Sequence, residues 1–134
     1  MNYRSVWANL INKHQYRLDK DPSLRRDGVY PKAAQLALGE YKLFCFAERL
    51  RGQHSIWEQD KPLPYRELLN LYLVNKHHWT LAAVRLHKGS DIFLLLRDEL
   101  DQILLTDEEA TPVRQMTETC FSWQVFELHF QAPD

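Results

Sequence analysis

Few residues of this 134-residue chain are of types that could do chemistry. They are the triplet His77-His78-Trp79, the cysteines Cys45 and Cys120, and two acidic groups, Asp98/Glu99/Asp101 and Asp107/Glu108/Glu109. Adjacent histidines point to opposite faces of a strand and diverge by about 100° on a helix, so His77 and His78 are a poor chelating pair. Zinc sites draw on return spacings such as HxxxH or CxxC, and neither occurs here. His14, His54, His87 and His129 are scattered along the chain. The acidic groups lack the DxDxDG pattern of a calcium loop and read as solvated hairpin ends. Arg25-Arg26, beside Lys20 and Lys32, are interleaved with Asp19, Asp21 and Asp27, and no glycine-rich phosphate cradle accompanies them. No metal and no cofactor is expected.

Cys120 is the candidate nucleophile, because a single cysteine with a distant histidine is the minimal arrangement of a thiol hydrolase. In chain order His78-Trp79, Asp91 or Asp98, Gln115 and Cys120 follow one another. This order resembles that of the papain-like proteases that process ubiquitin-like proteins. The resemblance implies Cys120 as nucleophile, His78 as base, Asp91 or Asp98 orienting the imidazole, and Gln115 helping to hold an oxyanion. It is limited to isolated residues from 78 to 120. Phe121 stands where that family has Gly, Thr119 stands where it commonly has Asp, and the chain is shorter than such a catalytic domain.

The reading preferred from the sequence is a non-enzymatic intracellular binding protein, an adaptor, regulator or inhibitor that acts through a protein partner or as a homodimer. The cysteine hydrolase is one alternative, and a small-molecule-binding domain with a pocket between helices and sheet is another. Four tryptophans are many for a core of this size, so some are expected at an interface. Trp57, His77, His78 and Trp79 are the candidate binding residues.

Composition narrows the classes. Hydrophobic residues make up 45% and charged residues 26%, which are ordinary values for a globular chain, and the length suits a single domain over 1–134. A formal charge of −1 gives no bulk electrostatic case for nucleic acid or anionic lipid, so nucleic acid is not an expected partner. The charge is unevenly spread, residues 1–60 carrying ten Lys/Arg against seven Asp/Glu and residues 61–134 seven against eleven. The opening MNYRSVWANLINKHQYR lacks the apolar stretch of a secretory signal, and no apolar run approaches the roughly 20 residues that span a bilayer. Two cysteines in apolar settings make no disulfide framework, so a reducing cytoplasm is the expected location.

The elements follow from hydrophobic spacing. Tyr3, Val6, Trp7, Leu10, Ile11 and His14 predict a helix over 3–18 capped by Asn2. Residues 19–28 read as a loop. Pro31 at a first helical position and Gly52 as a stop predict a helix over 31–51 in which Gly39 permits close approach. Residues 52–64 form a connector around Trp57. The runs LLNLYLV, WTLAAVRL, IFLLLR and QILLT then read as a β-meander over 67–106, with KGSD at 88–91 as its hairpin joint. Tyr65, Leu68, Leu69, Tyr72 and Leu73 also fit helical spacing, so 64–75 is alternatively a third helix. Pro112 makes 107–119 a loop, and the alternation of Phe126, Leu128 and Phe130 predicts a strand over 120–130. The expected fold is α+β, with two or three N-terminal helices packed on a four- to five-stranded antiparallel sheet.

Overall fold

Short polar side chains at the starts of the apolar runs decide what those runs become. In the computed structural model, residues 2–23, 26–53, 63–117 and 128–130 are described. They form α1 (Tyr3–Asp19), α2 (Arg26–Gln53), α3 (Tyr65–His77), α4 (Leu81–Arg85), α5 (Gly89–Leu95), α6 (Arg97–Gln102) and α7 (Asp107–Thr117). Asn2 caps α1 as expected, its Oδ1 accepting from the Ser5 N–H at 3.1 Å. Among the described residues no helix is long and apolar enough to cross a membrane.

The meander is replaced by helices, and the α+β class with its antiparallel sheet gives way to an all-α one. Residues 64–75 follow the helical alternative, since Leu68, Leu69 and Leu73 share the buried side of α3. In WTLAAVRL, Thr80 Oγ1 accepts from the Ala83 N–H at 3.2 Å and opens α4, whose buried residue is Val84. KGSD is a helix start and not a hairpin. Asp91 Oδ2 accepts from the Lys88 N–H at 3.1 Å, Gly89 is the first helical residue, and no described glycine has positive φ. IFLLLR buries Ile92 and Leu96, four apart, and leaves Leu94 exposed. Only QILLT keeps a period of two: Ile103 and Leu105 are buried and Leu104 is exposed. Leu105 forms an isolated parallel bridge with Phe130, the one β pairing among the described residues. The rest of the strand expected at 120–130 lies outside the described residues.

The two prolines also sit differently from expectation. α2 begins at Arg26, five residues before Pro31, and α7 contains Pro112. Each is the sixth residue of its helix and lacks the N–H that would bond back to the carbonyl of residue 27 or 108, so each helix continues at the loss of one backbone hydrogen bond. The stretch 107–119, expected as a loop, opens with a reciprocal cap. Thr106 N–H donates to Glu109 Oε1 at 2.9 Å, and Glu109 N–H donates to Thr106 Oγ1 at 3.3 Å. Asp107, Glu108 and Glu109 then lie in the first turn, where the helix dipole favours negative charge.

The chain divides into two compact units, Met1–Lys42 with Ile103–Asp134, and Leu43–Gln102, the division falling inside α2. In the first unit Ala33, Ala34 and Ala37 on α2 are fully buried, small enough to let neighbouring helices approach closely. Trp7 of α1 meets Tyr41 edge-on at 5.3 Å, and Tyr41 Oη donates to the Glu109 carbonyl at 2.5 Å. Lys42 Nζ donates to His129 Nδ1 at 2.9 Å, and Leu105 N–H donates to the His129 carbonyl at 2.8 Å, fixing the 128–130 segment.

In the second unit Leu43, Ala47 and Leu50 of α2 pack with Leu68, Leu69, Leu73, Val84, Ile92 and Leu96. Each fully buried aliphatic side chain contributes about 1.5–3 kcal/mol. Phe46 meets Tyr72 edge-on at 5.0 Å. Ion pairs Lys76–Glu99 at 2.5 Å and Arg85–Glu67 at 3.0 Å tie α3 to α6 and to α4.

The reciprocal cap of α7 is directly testable. Thr106→Ala is expected to lower stability by about 1 kcal/mol in urea unfolding, with the slope unchanged, and Thr106→Ser to stay close to wild type.

Candidate functional site

The corner between α3 and α4 is where candidate residues come together. His77 ends α3, and His78 stops it by taking the left-handed conformation, φ 57° and ψ 31°. That turn sends the chain back, and the Trp79 ring stacks on the His77 imidazole at 4.3 Å and 19°. After the single turn of α4, the His87 ring lies 5.7 Å from Trp79 at a tilt of 39°. Trp79 thus meets two imidazoles and is still 38% exposed. His77 is half-buried, with its Nε2 unpartnered among the described residues, and His78 is exposed.

Polar contacts fix this corner from α3. Arg85 makes a two-pronged contact with Glu67, Nε to Oε1 at 3.0 Å and Nη2 to Oε2 at 3.1 Å, and these bonds hold the Glu67 carboxyl below its ordinary range. Arg66 Nη2 donates to the His87 carbonyl at 2.8 Å. Behind the corner, burial works to raise the Glu99 pKa, but hydrogen bonds, chiefly from Lys76, keep it lowered. Arg66 and His87 are part of the site although spacing did not single them out. The signal was Thr80, whose cap starts a helix that returns His87 toward Trp79.

A second imidazole cluster lies in the first unit. His14 is 4% exposed, its Nε2 2.9 Å from Glu40 Oε1 and its Nδ1 3.3 Å from Arg17 Nη2. A guanidinium only donates, so Nδ1 is the acceptor and Nε2–H is the donor to Glu40. Lys13 Nζ donates to the same carboxylate at 3.1 Å. Burial lowers the His14 pKa; Glu40 opposes this, and Arg17 and Lys13 add to it. With both ring nitrogens engaged, this histidine has no lone pair left to serve as a general base, and it links α1 to α2.

The other sequence candidates are dispersed. Asp91 spends its carboxylate on the Lys88 backbone N–H, and among the described residues no hydrogen bond joins it to an imidazole. Asp98 is exposed on α6, 3.8 Å from Arg97. Gln115 is exposed on α7, in the unit that does not hold His78. Trp57 and Cys120 lie outside the described residues. Among those described, no group of three or more His, Cys, Asp or Glu is placed to hold a metal ion.

Two outcomes follow. A histidine whose folded pKa lies below its unfolded value of 6.5 contributes stability above that value and loses it as the pH falls below it. Thermal unfolding is therefore expected to show a decline between about pH 7 and about pH 5 that is smaller in His14→Gln. At the corner, His78→Gly relieves the left-handed strain and is expected to raise stability by about 1 kcal/mol, whereas His78→Val lowers it.

Compared with family models, with curated proteins and with solved structures, the chain finds no match, so the functional reading rests on its own residues.

Proposed function

We propose that this chain is a non-enzymatic binding protein, an adaptor, regulator or inhibitor, that engages a protein partner or a second copy of itself through the α3–α4 corner. The observation that carries the reading is Trp79, a large aromatic ring stacked on His77 and tilted against His87 yet 38% exposed. An aromatic held in place before contact loses little conformational freedom on binding, and for this reason tryptophan dominates binding hot spots. Leu86, which precedes His87, is 85% exposed and adds apolar surface. The scarcity of cysteine suits a reducing, cytoplasmic setting.

The test is affinity capture followed by quantification of each captured protein, run alongside sedimentation of the purified chain for self-association. Trp79→Ala and Leu86→Ser are each expected to reduce the partner, or the self-association, at least tenfold. Tyr16→Ala, at an exposed aromatic of the first unit, is expected to leave it unchanged. Capture and sedimentation that are indifferent to Trp79 and Leu86 would remove the corner from the reading.

A further inference from the structure

The charges around the corner point to the chemistry of what it binds. From Lys76 to Ser90 the chain has three basic residues and three histidines and no carboxylate. Two of the cations are already compensated, Lys76 by Glu99 and Arg85 by Glu67. Lys88, the third, is not, and neither is Arg66, which α3 contributes to the same corner. Both are exposed, and neither forms an ion pair among the described residues. Arg66 gives its Nη2 to the His87 carbonyl, and its Nη1 lies 3.7 Å from the Cβ position of Gly89, so its guanidinium sits on the joint that carries Lys88. Asp91, at the same joint, directs its carboxylate to the Lys88 backbone N–H. Among the described residues the corner therefore offers two cations without an ion pair, beside the half-exposed Trp79 and the exposed Leu86.

We infer that the corner binds an acidic segment of a partner protein in which apolar side chains are interspersed with carboxylates. The inference rests on the corner being the binding face and adds the chemistry of the partner. Arg66 and Lys88 meet the carboxylates, with the fork of Arg66 suited to a planar carboxylate, while Trp79 and Leu86 take the apolar side chains. A single-stranded nucleic acid is less well matched. The His77 ring covers one face of Trp79 at 4.3 Å, removing it as a platform for base stacking, and the net charge of −1 supplies no long-range attraction for a phosphate backbone.

The probe is a synthetic peptide alternating Glu with Leu and Phe, compared with the same peptide carrying Gln for Glu and with single-stranded oligouridylate. Binding to the full chain is read by backbone amide shifts over residues 76–90 and by anisotropy of the labelled probe. The expected result is saturable binding of the acidic peptide that weakens with added salt and falls at least tenfold in Arg66→Glu/Lys88→Glu, with Arg66→Lys, which keeps the charge but loses the fork, falling between wild type and the double variant. Both positions are exposed, and unchanged circular dichroism of the double variant establishes that its loss is not unfolding. Equal binding of the Gln peptide, indifference to the charge reversal, or tighter binding of oligouridylate to the same amides overturns the inference. Failure of the acidic peptide while partner capture still depends on Trp79 overturns the acidic chemistry and leaves the binding face standing.

Discussion

The constraint on which the second unit depends is that three of its helices are too short to exist alone. α4, α5 and α6 have five, seven and six residues, well below the dozen or so at which an isolated helix becomes even marginal in water. The start of each short helix leaves backbone N–H groups without partners, and a side chain must meet them. Thr80 does so for α4, and Asp91 closes the start of α5. A few buried residues then anchor each turn to the core: Val84 for α4, Ile92 for α5, and Leu96 at the joint before α6. The position of Trp79 follows, because the ring sits between the left-handed stop at His78 and the cap at Thr80, with no helical residue of its own to move.

The same constraint explains what could be read from the sequence. α1 and most of α2 have long apolar stripes in which Trp7, Ile11 and Leu18, or Ala33, Ala37 and Tyr41, repeat at helical spacing, and both helices were legible. LAAVR and GSDIFLL are too short for periodicity to separate a helix from a strand. What separates them is the capping chemistry of Thr80, Asp91 and the Thr106/Glu109 pair, a local signal outweighed by the apparent regularity of the apolar runs. Pro112 misled because a proline ordinarily breaks a helix interior, yet here it is the sixth of the eleven residues of α7 and the helix runs through it. Of the candidate site, the pairing of His77 with Trp79 was legible as neighbours. The approach of His87 was not, because it depends on a helix in place of a strand.

Two buried or half-buried histidines show how environment assigns roles to one residue type. His14 is saturated: Arg17 donates to one nitrogen, the N–H of the other donates to Glu40, and the ring works as a cross-link between α1 and α2. His77 is not saturated. Its ring is held by stacking on Trp79, and its Nε2 has no partner among the described residues. A cross-link of the first kind resists replacement, because removing one member leaves buried polar atoms unpaired. A stacked pair at an exposed corner presents surface instead.

That difference bears on why a left-handed histidine is found at the corner. A non-glycine residue at φ 57° costs about 1 kcal/mol and persists only where the surroundings compensate. Here the compensation is local. The turn at His78 lets Trp79 fold back over His77, and stacked aromatic pairs are worth about 0.5–1.5 kcal/mol beyond the area they bury. The two quantities are of similar size, so the corner gains little net stability from its own geometry. A turn whose strain and stacking nearly balance serves folding poorly and serves presentation well, since what it achieves is a fixed direction for one tryptophan. For this reason the strain at His78 belongs with the exposed ring of Trp79 in the binding face proposed for this corner.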